Sequence, residues 1–530
     1  MLNRVLLYCS TLRNVKPSQI YSRIKIKLGG SCGIRARVSE NYTEIIDSPT
    51  IPELDFDPVF IARFPAEELM SDKITILHGS KDFDWQSRWN FEDMSDLWNF
   101  NLHYFEYLFP LVKAWKDSGD KKYLEKTFEI ISGWINCNPV GAEPAWASYP
   151  VSLRIVNWIS YYGYTAENMP DEFRKTFLES LHSQYAYLSR HLEKDILGNH
   201  YFEDLKALLL AAIFFKDDAA FNKILPVFKA ECKEEILPDG MHFEFSPMYH
   251  KIIFEGMLRV ALALRKAGKP DSEIESYLQP MLDVAYSFEE GLERIPLFND
   301  GGNNVAKSID ALLITADRYF GLKPCFRNRL ESSGFYIFKR EINGHTWKLI
   351  VDAGQPGPKY IPGHAHCDAM SYELFRDGKP VIVNCGTYAY QCKERNFFRS
   401  TAAHNTVMID GVEQSQCWDA FRLAKRSSTK VLEVTDNSIL IALTDQKGNK
   451  AEREIVFSDK LTVTDRSHGH SLRSYIHLAE EIFVSHNGEE TALKQDYAAG
   501  FGEKETIDCR QLSGKDSLEY KINFQDREER

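Results

Sequence analysis

The spacing of apolar residues changes once along this chain of 530 residues, close to residue 325, and that change limits the folds open to it. From about residue 90 to 325 apolar side chains recur every three or four positions, as in Phe202, Leu205, Leu209 and Ala212, or Ile253, Met257, Val260 and Leu264. Such a repeat sets one face of an α-helix against a core. Breaks fall at "GDKK", "NPVGAEPAW", "ENMPDE", "LPDG" and "AGKPDS", where proline and glycine punctuate the runs. Helices joined by short turns are antiparallel neighbours, which predicts a stack or ring of helical hairpins.

After "GLKPCFRNRL" the period shortens to two. "SGFYIFKREI", "TWKLIVDAG", "MSYELFRDGKPVIVNCG", "HNTVMIDG", "NSILIALTD" and "EIVFSDKLTVTDR" read as short strands bounded by Asp-Gly, Asn-Gly and similar turns. Many short strands in succession predict an antiparallel β-sandwich. Residues 1–75 keep no sustained period, and "IIDSPTIPELDFDPVF" is rich in proline and acid. The chain exceeds one compact core. The expected division is an N-terminal extension over 1–75, a helical domain over 76–325 and a β domain over 326–530.

The formal charge of −12 argues against nucleic acid as the main partner. An anionic substrate stays admissible, because a local cluster can reverse the sign inside a cleft. The aromatic content of 13% suits stacking on sugar rings, and equally suits a large core. Ten cysteines without regular spacing form no disulfide framework or CxxC pattern and read as free thiols of a reducing compartment. No apolar run reaches the roughly 18 residues of a membrane helix. The start, "MLNRVLLYCSTLRNVKPSQIYSRIKIKLGG", makes a poor secretory signal and a fair amphipathic basic segment. The expected location is cytoplasmic, with contact between the basic N-terminus and a membrane left open.

Three stretches carry candidate chemistry. In "PGHAHCDAMSYEL", His364, His366 and Asp368 would project to one face if the segment is a strand. The turn at Asp377-Gly378 returns Asn384 to that neighbourhood, and "STAAHNTV" adds His404. Converging imidazoles and an oxygen ligand suit zinc, and a neutral imidazole beside them suits proton transfer. Hydrogen-bonded histidines on a sheet face fit the same pattern, since so short a motif matches by chance. "LGNHYFEDLKALLL" places Asn199 and His200 at a helix start, with Glu203 in the first turn. "FEFSPMYHKIIFEG" has Ser246 as N-cap, Pro247 at the first helical position and Tyr249 in the first turn. Helix N-termini favour an anion such as a carboxylate. The alternative is that Asn199 and His200 only cap a helix and Tyr249 is core.

Together, "GNH", "SPMYH", "HAHCDAMSYEL", "CGTYAY", "FFRSTAAHNTVMIDG" and "WDAF", with "SYPVSLRIVNWI" before them, resemble the heparinase II/III family of polysaccharide lyases, in the family's order over residues 95–425. The resemblance implies an incomplete (α/α) toroid followed by an antiparallel β-sandwich, and β-elimination at uronic-acid glycosidic bonds. It implies that Asn199 and His200 neutralise the substrate carboxylate. Tyr249 acts as acid and also as base if its pKa is lowered, and His364 is its partner from the β side. His366 and His404 match the family's structural zinc ligands. Many relatives read Asp-x-Gly-Thr-Tyr where this chain has "NCGTY", so the third expected ligand is Asn384, a neutral and weaker donor. Relatives in bacterial capsule or exopolysaccharide clusters imply a role in surface-polysaccharide turnover.

Candidates for binding further acidic groups of the polymer are Arg154, Arg395 and Arg399, with His250 beside Tyr249. Trp98, His103, Tyr104, Trp146 and Tyr149 are candidates for sugar stacking, although ion pairing and helix packing account for such residues too. Two other classes stay in play. A glycan-binding or assembly protein would keep the cleft without rapid chemistry. A glycoside hydrolase needs two carboxylates across the cleft, and Glu203, Asp204 and Glu244 make no evident pair.

Overall fold

The computed structural model describes residues 2–28 and 48–524. Two helices, Leu2–Leu12 and Pro17–Leu28, lead into the helical domain, and all five expected breaks fall between helices. Leu108–Ser118, for example, ends at Gly119, whose φ of +73° is the left-handed conformation of a helix stop. The next helix, Lys121–Cys137, starts where the Asp120 side chain accepts from the Lys122 amide.

The helix Asn199–Phe214 lies at the centre, packed by Ser148–Thr165, Asp218–Glu235 and Pro247–Lys266. Except for His200, its side chains are buried. A helix with neighbours on every side needs apolar residues all round, which explains why "ALLLAAIFF" overruns a single stripe. Ile51, Leu54, Phe64, Leu69 and Ile74, all placed in the expected extension, belong to this same core.

Thirteen strands between Arg329 and Asn523 form one continuous antiparallel hydrogen-bonded system. Its spine is a pair of nineteen-residue strands, Lys460–Leu478 and Glu505–Asn523. The sheet folds over so that side chains of distant strands pack face to face: Trp347 meets Phe524 with ring centroids 4.2 Å apart, and the Tyr372 and Tyr520 hydroxyls lie 3.2 Å apart. Each such buried ring stabilises the sandwich by about 1.5–3 kcal/mol.

Met241, Phe288 and Phe298 of the helical domain pack on Phe335, Ile350 and Phe375 of the sheet. This apolar seam holds the loop at 295–305 against the loop at 361–371, and the candidate site lies where they meet.

Candidate active site

The segment carrying His364, His366 and Asp368 is a loop, which corrects the expected strand; regular pairing begins only at Tyr372. The cause is Arg399, whose Nη2 donates to the carbonyls of Ala365 (3.0 Å) and Pro362 (3.5 Å). Backbone acceptors that a neighbouring strand would satisfy are met by a buried side chain instead.

On the helical side both predicted helix starts are present. Gly198 precedes Asn199 with φ +60°, and a Cβ there would lie 2.5 Å from Glu244 Oε1. Only glycine allows this close approach. Asn199 Nδ2 donates to both Glu244 carboxylate oxygens at 3.0 Å and lies 3.3 Å from His364 Nε2. Half-buried His200 bonds through Nδ1 to Glu193 (3.0 Å). Burial works against its charge, but Glu193 outweighs that and raises its pKa above the usual value.

Ser246 caps the second helix, accepting from the Tyr249 amide, while its hydroxyl donates to the Asp300 carbonyl (2.6 Å). The Tyr249 hydroxyl lies 2.8 Å from that of Tyr390, a residue of the β domain. Burial pushes the Tyr249 pKa up, with Tyr390 and Asp300 adding to it. The lowered pKa required for a tyrosine base is therefore not what this environment produces.

Asp300 joins these parts. One carboxylate oxygen takes His364 Nδ1 at 2.9 Å and Arg395 Nη2 at 2.7 Å; the other takes His366 Nε2 at 2.9 Å and Thr387 Oγ1 at 3.2 Å. Burial alone would raise its pKa, but Arg395 and the two histidines hold it well below the carboxylate range. An ionised carboxylate only accepts, so His364 carries its proton on Nδ1 and leaves the Nε2 lone pair toward Asn199.

A cleft of about 140 Å³ opens beside Tyr249, walled by Tyr104, Tyr149 and Tyr390. Arg63, Lys206 and Arg259 on its wall pair with Glu106, Glu203 and Glu255. Lys307, also on the wall, is 95% buried, with Nζ 3.1 Å from the Phe60 ring centroid. Among the described residues it makes no ion pair, and burial pushes its pKa down to about 8.

The expected zinc donors are partly convergent. His366 gives its Nε2 proton to Asp300, and His404 gives its Nδ1 proton to the Ser400 carbonyl (2.8 Å). His366 Nδ1 and His404 Nε2 are then two lone pairs facing each other at 3.1 Å. Burial lowers their pKa values to about 4 and about 3, so a shared proton does not relieve the pair at neutral pH. Their separation suits two ligands on one tetrahedral zinc, about 3.3 Å for typical Zn–N bonds. Asn384 Oδ1 already accepts from the Asn405 amide (3.0 Å), and no three His, Cys, Asp or Glu side chains gather as a metal group among the described residues. Asp368 instead accepts from the Asn299 amide (3.0 Å).

Several expected substrate contacts are corrected by burial. Arg154 is fully buried, bonded to Gln184 (2.8 Å) and the His103 carbonyl (3.1 Å). His250 is sealed between the Met281 carbonyl (2.9 Å) and the His242 amide (3.2 Å). Arg395 is spent on Asp300, and Arg399 on loop carbonyls. Trp98, His103 and Trp146 are core: Trp98 donates to the Gly79 carbonyl, Trp134 to His103, and Trp146 to the Asn138 carbonyl. Tyr104 and Tyr149 do face the cleft, Tyr149 with its ring 4.4 Å from His200. Glu203, Asp204 and Glu244 are each engaged, by Lys206, by Ser152 with the Glu193 amide, and by Asn199. Of the three only Glu203 lines the cleft, and it is held by Lys206.

Asp300, Lys307 and Tyr390 were not singled out from the sequence. "NDGG" at 299–302 was the available signal for Asp300, a polar turn directly after buried Phe298.

A family model described as the heparinase II/III N-terminus matches residues 58–325, and one described as heparinase II/III-like, C-terminal, matches 326–526. A heparin-sulfate lyase of Pedobacter heparinus is 26% identical over 365 residues, 62% of this chain and 54% of that protein. One of Bacteroides stercoris is 23% identical over 430 residues, 72% of this chain and 62% of that protein. The matches thus span less than two thirds of these relatives. The crystal structure of heparinase III superposes with a TM-score of 0.68 at 17% identity, covering 95% of this chain and 89% of that one. A heparan sulfate lyase structure from Pedobacter heparinus gives 0.55 at 20% identity, covering 96% and 88%. These likenesses carry the fold, a helical toroid followed by an antiparallel β-sandwich. With both family models matched in order along nearly all the described residues, the chain belongs to the heparinase II/III family.

Proposed function

We propose that the protein is a polysaccharide lyase that cleaves uronic-acid-containing glycans by β-elimination. The observation that carries this reading is the set of Asn199, Tyr249 and His364 converging from two domains, with Tyr249 on the wall of a cleft that also holds Lys307, a cation unpaired among the described residues. Relatives named heparin-sulfate lyases support an acidic glycan as substrate.

Removing the C5 proton of a uronate requires its carboxylate to be neutralised first. The Asn199 amide and a protonated His200 supply that neutralisation. Asn199 Nδ2 lies 3.0 Å from both Glu244 oxygens and 3.3 Å from His364 Nε2, so Glu244 orients the amide and the hydrogen on the His364 side would turn to the substrate carboxylate. His364 Nε2, backed by Asp300 on Nδ1, takes the C5 proton. The C–H electrons form the C4–C5 double bond, the C4–O4 bond breaks, and Tyr249 protonates the departing oxygen. A raised pKa keeps Tyr249 protonated for that step.

Zinc belongs to the same proposal: the facing lone pairs of His366 Nδ1 and His404 Nε2 would hold it, Asn384 would have to give up its Asn405 bond to join them, and the metal would brace the loop that presents His364. Surface-polysaccharide turnover and a cytoplasmic location complete the reading; cell fractionation tests the latter. The activity test is ultraviolet absorbance of unsaturated uronate during incubation with heparan, hyaluronan, chondroitin, alginate and polyglucuronate. A rise that vanishes in Tyr249→Phe is expected. No rise on any polymer, with binding retained, would replace the lyase by a glycan-binding protein.

A further inference from the structure

The helices Leu2–Leu12 and Pro17–Leu28 take no part in the cleft, yet they are firmly seated. Gln19 is buried and donates to the Ile196 carbonyl (3.0 Å), and Lys16 pairs with Glu234 over the Tyr360 ring. On the first helix the Tyr8 ring packs on Trp418 at 4.8 Å, and Trp418 Nε1 donates to Thr11 (3.1 Å).

Seated this way, they turn apolar side chains outward. Val5, Leu6 and Leu12, then Ile20, Ile24 and Ile26, are 40–60% exposed. The two helices hold eight of the fifteen exposed large apolar side chains found among the described residues, in about a twentieth of the chain. Solvent does not favour such clustering, so the face is built to be covered. Val5 and Leu12, seven apart, and Ile20 and Ile24, four apart, each share one helix face, and Leu6 widens the first apolar surface beside Val5.

Charge identifies the cover. Residues 1–28 contain six Lys or Arg and no Asp or Glu, in a chain of net charge −12. Arg13 and Lys25 stand exposed beside the apolar stripes. A second copy docked by two-fold symmetry would oppose basic to basic. An acidic glycan would use the arginines and lysines but leave the isoleucines and leucines in water. An apolar stripe flanked by unopposed basic residues suits the boundary between acyl chains and anionic headgroups.

We propose that these two helices are a docking face for a bilayer surface rich in anionic phospholipid, holding the cleft close to a membrane. Leu6 and Ile24 enter the acyl boundary, and Arg13 and Lys25 meet the headgroups. No helix of the described residues is long and apolar enough to cross a membrane, so the contact is peripheral.

The test is flotation of the full chain with vesicles of phosphatidylcholine alone or mixed with phosphatidylglycerol, at low and high salt. Binding to the anionic vesicles is expected, weakened by salt and reduced roughly tenfold or more in the double variant Leu6→Glu, Ile24→Glu. The variant is expected to unfold close to the parent temperature, because Leu6 and Ile24 are 60% and 52% exposed. Three results overturn the proposal: no flotation with anionic vesicles, flotation indifferent to the variant, or a concentration-dependent dimer that the variant disperses.

Discussion

His364, on a loop of the β domain, lies ring to ring with Tyr249, in the first turn of a helix of the other domain, at a centroid distance of 4.1 Å and a tilt of 34°. Neither domain holds both residues, so the proposed base and acid are aligned only by the seam between the domains. Asp300 completes the arrangement from the helical side, fixing the His364 ring by its Nδ1.

Tyr249→Phe removes one hydroxyl from a buried ring whose packing is otherwise kept. The rate of elimination is expected to fall by about 10²–10⁴, the usual worth of a positioned general acid, with unchanged circular dichroism. Because the Tyr249 pKa is pushed up, the parent enzyme should lose no acid function to tyrosine ionisation below pH 10. A kcat profile through the alkaline range checks it.

Asp300→Asn leaves the buried Arg395 guanidinium without its carboxylate and weakens the hold on His364 and His366. A loss of about 3–5 kcal/mol in unfolding free energy is expected, the usual cost of breaking one side of a buried pair. Urea titration measures it. Adding Arg395→Met should recover part of the loss, which a double-mutant cycle would resolve.

Glu193→Gln acts on His200 alone among the proposed residues. The raised His200 pKa keeps the imidazolium present to higher pH, and its contribution to carboxylate binding is lost as pH rises through that value. Without Glu193 the burial effect gains, so the rise of KM with pH should begin at lower pH. The comparison of KM against pH in the two proteins decides it.

Lys307→Met should separate binding from stability. With its pKa at about 8, the parent lysine costs stability at neutral pH, and that cost fades as pH rises from about 8 toward 10.5. The variant is expected to gain on the order of 1–3 kcal/mol at pH 7. It should also bind acidic polymer more weakly, because the cleft loses a cation that no carboxylate of the described residues pairs. Denaturation and polymer-binding titrations read the two effects independently.

Removal of the proposed zinc should show in the fold before it shows in chemistry. Metal analysis of the purified protein is expected to find zinc, and a chelator should lower the unfolding temperature. His404→Ala should lower it similarly and make it indifferent to chelator.

Much of the architecture was legible because it rests on local rules. The spacing of Phe202, Leu205 and Leu209, the Ser246 cap before Pro247, and the Asp377-Gly378 turn between Tyr372–Arg376 and Lys379–Ile382 each need only neighbouring residues to be read. The strand Glu505–Asn523 is hard to read because Arg510 to Ser517 hold one large apolar residue, Leu512, which interrupts the alternation. The loop at 361–371 reads as a strand because alternation cannot reveal that Arg399 takes its carbonyls.

Local patterns are enough to establish that helices precede strands and where helix starts place Asn199 and Tyr249. What those residues can do depends on the fold. Arg154 and Arg395 look alike as free cations in the chain, yet the fold assigns the first to Gln184 and a carbonyl and the second to Asp300. Asp300 lies 64 residues from His364 and 95 from Arg395, and no local spacing joins them. Burial and pairing set charge, tautomer and reach, and both arise from contacts between segments far apart in the chain.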